Sequence, residues 1–419
     1  MRKATFKIVG MCGKRRGELL LPFVLLASLT VTACGGGAAP SRTATIDTLP
    51  SGRIVVRNPA RGTTNLDSAW HVRVLARIGS REGGTPAAFG MAIDVALDPL
   101  GRVWVADYQA NQITVFDEDG TFVRTVGQKG GGPGEFAGPA GVSRGPRGHM
   151  WAMDSRNSRI SEFDTAGNLV SEHRFESAMR FIPCQCGFHG GQFWTQPVLA
   201  TQPQTPEDLE TGVALLLEDS ALAPLDTLAL PRRPGGPAIF THVVGNGGMT
   251  TVPIPFAPQA GWAAARGGTL WVSYGTPYRL LEVSPAGDTL REVDRAFEPP
   301  PVTGAERDSA LHRLDAFVKR GGKIDAGKIP DHKPAIERFF VDQAGYLWVL
   351  PFRPAGAEMA WNVFDPRGVY LGALRLPVQL AASSSVVTRD RIVTLTRDDL
   401  GVQYVVVLAL DRGSKSPPR

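Results

Sequence analysis

The stretch "VALDPLGRVWVADYQANQITVFDEDGTFVRTVG", residues 95–127, decides the fold when it is set beside "VSRGPRGHMWAMDSRNSRISEFDTAGNLVSEHR", residues 142–174. Both run strand, glycine turn, a Trp followed three residues later by Asp, an Asn-containing loop, an Ile three residues before Phe-Asp, a second glycine turn and a final strand. The short apolar runs alternate with polar residues, as half-buried strands do, and turn residues bound each of them. The offset from Trp104 to Trp151 is 47 residues, the length of one four-stranded propeller blade.

The pattern returns along the rest of the chain. "ARGGTLWVSYGTPYRLLEVSPAGDTLREVD" (265–294) keeps the turn and Trp271, and "VDQAGYLWVLPFRPAGAEMAWNVFDPRGVYLGALRL" (341–376) keeps Trp348 and Phe-Asp. A degenerate copy is split between "GGQFWTQPV" (190–198) and "VALLLEDSALAPLDTLAL" (213–230). The last copy, "ASSSVVTRDRIVTLTRDDLGVQYVVVLAL" (382–410), supplies three strands only. Its fourth is expected at the other end of the chain, because "HVRVLARIGSREGGTPAAFG" (71–90) echoes "GTFVRTVGQKGGGPGEFAG" (120–138). The sequence therefore predicts an all-β, six-bladed propeller closed by an N-terminal strand, which leaves no open sheet edge in the ring. The same comparison explains "GQKGGGPGEF" (127–136). Lys129 is followed by Gly130 rather than Ser or Thr, and Pro139 with further glycines leaves no helix to bind a phosphate. The loop is expected to carry the chain from one blade to the next.

These residues resemble the NHL-repeat propellers and, more closely, six-bladed β-propeller lipoproteins of bacteria. The motifs that carry the likeness are "AD…N…I…FD…G" and "G…G…F…P…G" within residues 79–175. The likeness weakens in 262–295 and 336–376 and is poor in 176–260. Propellers host enzymes, binders and scaffolds alike, so the resemblance implies architecture and not one activity.

The N-terminus reads as an address. Arg2, Lys3, Lys7, Lys14, Arg15 and Arg16 precede the apolar run "LLLPFVLLASLTV", which ends in "VTAC". That tetrad resembles a lipobox, implying a signal peptide over 1–33, lipidation at Cys34, and residence in the bacterial cell envelope, at the outer membrane or facing the periplasm. Residues 34–69 are expected to be a flexible tether, 70–412 the propeller, and 413–419 a tail. Without residues 1–33 the 45 basic and 40 acidic residues of the chain become 39 of each. A neutral chain offers no argument for nucleic acid, which demands clustered positive charge, and membrane contact is expected through the lipid alone. Of four cysteines, Cys184 and Cys186 stay in the body of the protein, in "CQCGFHG". A small disulfide, a metal site with His189 and free thiols all remain open.

Asp107, Asn111, Asp154 and Asn157 recur at equivalent blade positions, so they read as residues that hold turns. The recurring Trp104, Trp151, Trp271 and Trp348 read as packing between blades. The predicted inner strands offer Asp94 and Glu337 but no ring of acids for calcium, and the histidines show no ligand spacing; no metal and no cofactor is expected. Two insertions depart from the repeat. Residues 231–259 lack a blade signature, and 303–330 open with a helix whose Thr303 and Glu306 form a capping box, with Leu311, Leu314, Phe317 and Val318 on one face. Both fall between an outer and the next inner strand, on the face that carries the second-to-third-strand loops. Tyr108, Arg156, His242, Tyr274 and Arg353 are the ligand-binding candidates there, with the basic residues Lys319, Arg320 and Lys323 expected beside Arg353. The expected role is to bind a ligand or an envelope protein; the alternative is a hydrolase or lyase with its site at the channel mouth.

Overall fold

The computed structural model describes residues 43–174, 187–189, 191–195, 214–219, 221–229, 235–244, 248–265, 267–381 and 384–413. The protein is an all-β, six-bladed propeller. Blade 1 comprises Ala92–Leu97, Val103–Asp107, Gln112–Phe116 and Phe122–Val126. Blade 2 repeats it with Pro139–Arg144, Met150–Asp154, Arg159–Phe163 and Leu169–Arg174. Blade 3 holds Gly187–His189, Gln192–Thr195, Ala214–Glu218 and Pro224–Ala229. Blade 4 begins with Gly261–Ala264, Leu270–Ser273, Arg279–Val283 and Thr289–Arg295. Blade 5 is built from Ile336–Val341, Leu347–Pro351, Trp361–Phe364 and Tyr370–Leu374. Each is an antiparallel meander whose first strand is innermost.

Blade 6 closes the ring as the echo in the sequence requires. Its strands Ser385–Val387, Arg391–Arg397 and Gln403–Asp411 are completed by His71–Ile78, which pairs antiparallel with the last of them from Val405↔Ile78 to Asp411↔His71. The core is a set of apolar layers between neighbouring blades. Blade 1 meets blade 2 through Trp104, Val115, Phe136, Met150 and Phe163, and blade 5 meets blade 6 through Trp348, Trp361, Ile392 and Leu408.

The turns explain why the repeat has its spacing. Asp98 opens the turn between the first two strands of blade 1: its Oδ1 accepts the backbone N–H groups of Leu100 and Arg102, and its Oδ2 accepts Trp104 Nε1–H at 3.1 Å. Asp342 and Trp348 repeat this in blade 5, at 2.9 Å. One carboxylate thus fixes both a turn and the indole six residues on. In blade 2 the place of Asp98 is taken by Gly145, and the buried Trp151 Nε1–H has no acceptor.

The N-terminal segment corrects the expectation of a tether. Thr45–Thr48 and Ile54–Asn58 form a hairpin, and Ile54–Asn58 pairs parallel with Thr289–Arg295, making blade 4 a six-stranded sheet. The chain then crosses the outside of blade 5, where Thr63 and Thr64 donate to the carbonyls of Tyr370 and Leu371, and a short helix, Leu66–Ala69, leads into the closing strand. Val55, Val56, Leu66 and Trp70 are buried. Their apolar side chains are the physical reason this segment is ordered, since each fully buried one is worth about 1.5–3 kcal/mol. Trp70 packs on Tyr346 and Trp348, and Arg412 lies over both Trp70 and Tyr346 while pairing with Asp342 at 2.6 Å. The segment is a strap that joins blades 4, 5 and 6. Residues 41–419 form a compact unit of their own.

Both insertions contain ordered structure. The first carries a hairpin, Ile239–Val243 with Met249–Pro253. The second holds helices Gly304–Arg313 and Asp315–Lys319, opened by the expected capping box between Thr303 and Glu306. Residues 1–42, Cys184, Cys186 and 414–419 lie outside the described residues. Among those described, no helix is long and apolar enough to cross a membrane.

Candidate functional site

The loops between second and third strands, together with the crossings between blades, gather on one face of the ring. In blades 1 and 2 two buried carboxylates shape it. Asp107 accepts N–H groups of Gly90 and Met91 from the crossing and of Gln109 and Ala110 from its own loop, at 2.7–3.1 Å. Asp154 does the same with Ala137, Gly138, Arg156 and Asn157. Both are tied to backbone on all sides, as the repetition in the sequence implies.

The glycine-rich crossing encloses an anion, and the anion is its own. Glu135 folds back under the loop, accepting from Gly132 N–H at 2.7 Å and Gln128 Nε2 at 2.9 Å. Those bonds, first the one from Gln128, hold its pKa below the usual glutamate range. A Cβ on Gly130 would stand 1.9 Å from the Glu135 carboxylate, so a side chain there would push that carboxylate out of its place under the loop. From beneath, the buried Arg159 donates to the carbonyls of Gly131, Gly132 and Glu135 and pairs with Glu172. Arg159 was not singled out in the sequence; the signal available was a charged residue at an otherwise buried position of the third strand.

Above this floor lies a groove of about 680 Å³ between blades 1 and 2, lined by Met91, Tyr108, Gln109, Lys129, Arg156 and Asn157 among others. The Arg156 guanidinium sits 4.9 Å over the Tyr108 ring. Gly138 lies beneath both: a Cβ there would come within 2.9 Å of the Tyr108 ring and 3.1 Å of Arg156. Arg156 also donates to the Ala137 carbonyl at 3.4 Å. Lys129 and Arg156 are exposed, and neither has a carboxylate partner among the described residues. Two cations and an aromatic face therefore look into one polar cleft.

The other three candidates do not join this pair. Tyr274 packs at the edge of the apolar layer between blades 3 and 4, and burial raises its pKa. Arg353 donates to the Ala357 carbonyl at 3.0 Å and faces Glu337 at 3.5 Å. His242 lies on the insertion hairpin, against Gly321. The two insertions share an apolar core of Ala238, Phe240, Ile254, Ala257, Leu314, Phe317 and Ile329. The first helix turn faces Arg353, because Glu306 pairs with Lys333 at 2.5 Å and Lys333 donates to the Arg353 carbonyl at 2.9 Å. Lys319, Arg320 and Lys323, expected beside Arg353, follow the other end of the helical segment, where Gly321 lies against His242. Val318, expected on the buried face, is 43% exposed.

At the channel wall, Asp94 of the blade 1 inner strand accepts from its neighbour Val95 N–H at 2.9 Å and from Val142 N–H of blade 2 at 3.0 Å. Burial outweighs those two bonds and pushes its pKa up to about 7. Among the described residues no group of three or more His, Cys, Asp or Glu side chains is placed to hold a metal ion.

No curated protein sequence matches the chain. Among solved structures, a protein of Bacteroides fragilis described as exported is 12% identical, with 84% of this chain and 99% of that chain covered and a TM-score of 0.47. A gluconolactonase of Xanthomonas campestris is 14% identical, covering 89% and 97%, with a TM-score of 0.42. A virginiamycin B lyase of Staphylococcus aureus is 12% identical, covering 82% and 99%, at 0.39. At these values no activity passes from any of them to this chain. Residues 94–194, blade 1 from its inner strand through blade 2 to the second strand of blade 3, match the model of a family described as "6-bladed beta-propeller".

Proposed function

We propose that this protein is a binding module of the bacterial envelope, anchored by lipid at Cys34, that takes an acidic group of a ligand or partner in the groove between blades 1 and 2. The observation that carries the reading is the pair of exposed cations, Lys129 and Arg156, set beside Tyr108 with no carboxylate among the described residues to neutralise them. A planar guanidinium held over an aromatic ring keeps its outer N–H groups free to bind a carboxylate in bidentate fashion. The floor supports this use because Glu135 and Arg159 make the glycine crossing rigid, so the groove is formed before a ligand arrives. Titration with citrate and with an oligoglutamate peptide, followed calorimetrically, tests it. Binding of at least one probe is expected, with a loss of about tenfold in affinity for each of Lys129→Ala and Arg156→Ala. Binding that survives the double replacement would remove the groove from consideration.

The alternative, a hydrolase or lyase acting at the channel mouth, has one supporting observation. Asp94 is a carboxyl on the channel wall whose pKa lies near neutrality, the range suited to a general acid or base.

A further inference from the structure

The insertions and the N-terminus leave blade 4 at the same end. The outer strand Thr289–Arg295 runs toward the helical insertion that follows it, and Ile54–Asn58 runs parallel to it with Asn58 opposite Arg295. Thr45 pairs with Arg57, so the chain toward Cys34 departs from the insertion-bearing end. Eleven Cα–Cα steps separate Cys34 from Thr45. Even fully extended they reach about 40 Å.

The insertion at that end carries exposed valines close to a run of cations. Val243 is 64% exposed, Val244 40% and Val318 43%. Lys319, Arg320 and Lys323 are exposed next to Val318 and have no ion-pair partner among the described residues. Asp325, the next acid along the chain, turns its carboxylate to the Gly327 N–H. His242 packing on Gly321 brings the hairpin valines to the helix end. Valines ringed by unpaired cations match an interface where acyl chains meet anionic headgroups.

We infer that this tip, Val243, Val244 and Val318 with Lys319, Arg320 and Lys323, docks on an anionic lipid surface. The inference rests on the reading of Cys34 as the lipid anchor, which would hold this end of blade 4 toward the membrane. It adds a second membrane contact to the one expected from the lipid alone. A basic patch with apolar residues would add an electrostatic and apolar contact to that of the lipid and fix the orientation of the ring. Docking would turn the insertion end of blade 4 to the bilayer.

The test uses the chain from Gly35 onward, which contains the whole compact unit, in sedimentation with vesicles. The protein is expected to bind phosphatidylcholine vesicles that contain about one third phosphatidylglycerol, to release as salt is raised, and to ignore phosphatidylcholine alone. Charge reversal of Lys319, Arg320 and Lys323 should weaken binding roughly a hundredfold, at about tenfold or less per cation. Val243→Asp with Val318→Asp should weaken it at least about tenfold. All five positions are exposed, so near-ultraviolet circular dichroism should be unchanged. No binding to the anionic vesicles, or equal binding by the charge-reversed protein, would overturn the docking. Fatty-acid labelling of the full chain with and without Cys34→Ala judges the anchor separately. A labelled chain whose tip ignores the vesicles refutes the docking alone, and an unlabelled chain whose tip binds them refutes the anchor alone.

Discussion

Blade 1 and blade 4 share one strand pattern and are stabilised in different ways. Blade 1 is held from within: Asp98 fixes a turn and an indole, and Asp107 ties two loops together. Blade 4 has Ala265 and Tyr274 at those positions, and the side-chain acceptor nearest in sequence is the preceding Ser273, which takes Gly275 N–H. It is held instead from outside by two borrowed strands and flanked by the paired insertions. The difference teaches that a blade without the turn carboxylates need not be weak, because distant chain can replace what the turns lack.

The sharpest way to break this contrast is to remove the strap. A chain starting at His71 keeps the closing strand and loses Val55, Val56, Leu66 and Trp70, all buried. At about 1.5–3 kcal/mol for each large apolar side chain, more than about 5 kcal/mol should go, with Tm lower by roughly 10 °C or more. Hydrogen exchange should rise in blades 4 and 5 and stay slow in blades 1 and 2. A Tm equal to that of a chain starting at Thr43 would return the segment to the status of a tether.

The seam between blades 1 and 2 should respond to pH where the strap does not. The folded pKa of Asp94 is about 7, against an unfolded value near 4. The folded state therefore holds the proton more tightly, and stability is expected to fall as pH rises from about 4 to about 7, by a few kcal/mol at most. Asp94→Asn, which can still accept one of the two backbone bonds, should flatten that slope. Urea melts at pH 5 and pH 8 measure it, and an unchanged slope in the variant would exclude Asp94 as its source.

The smallest expected effect separates two tryptophans that look identical in the sequence. Trp104→Phe leaves an acceptor of the buried Asp98 short of a donor, whereas Trp151→Phe removes an N–H that had no acceptor. The first should cost about 1 kcal/mol more than the second. Equal losses would mean that the Asp98 contact adds nothing beyond packing.

The ring was legible because its signals are local and repeated: the glycine turns, the Trp-x-x-Asp spacing and the echo of 71–90 in 120–138. The capping box at Thr303 was legible for the same reason. The strap was not. "RIVVRN" (53–58) carries an apolar run after the turn "LPSG", but its partner Thr289–Arg295 is more than two hundred residues away and nothing local names it. Tyr108 and Arg156 could be paired in advance because they occupy equivalent loops of adjacent blades. His242, Tyr274 and Arg353 could not, since their neighbours depend on how two unrepeated insertions pack together.

The strap also sets an order of events. Residues 45–58 and 71–78 leave the ribosome before any blade exists, yet their partners, 289–295 and 403–411, are among the later segments to be made. Contacts of such long sequence separation are slow to close. The closing strand 71–78 stays unpaired until 403–411 has been made, so the ring cannot close before its last strand is present. Blades 1, 2 and 5, whose four strands are contiguous in the chain, do not have to wait for it.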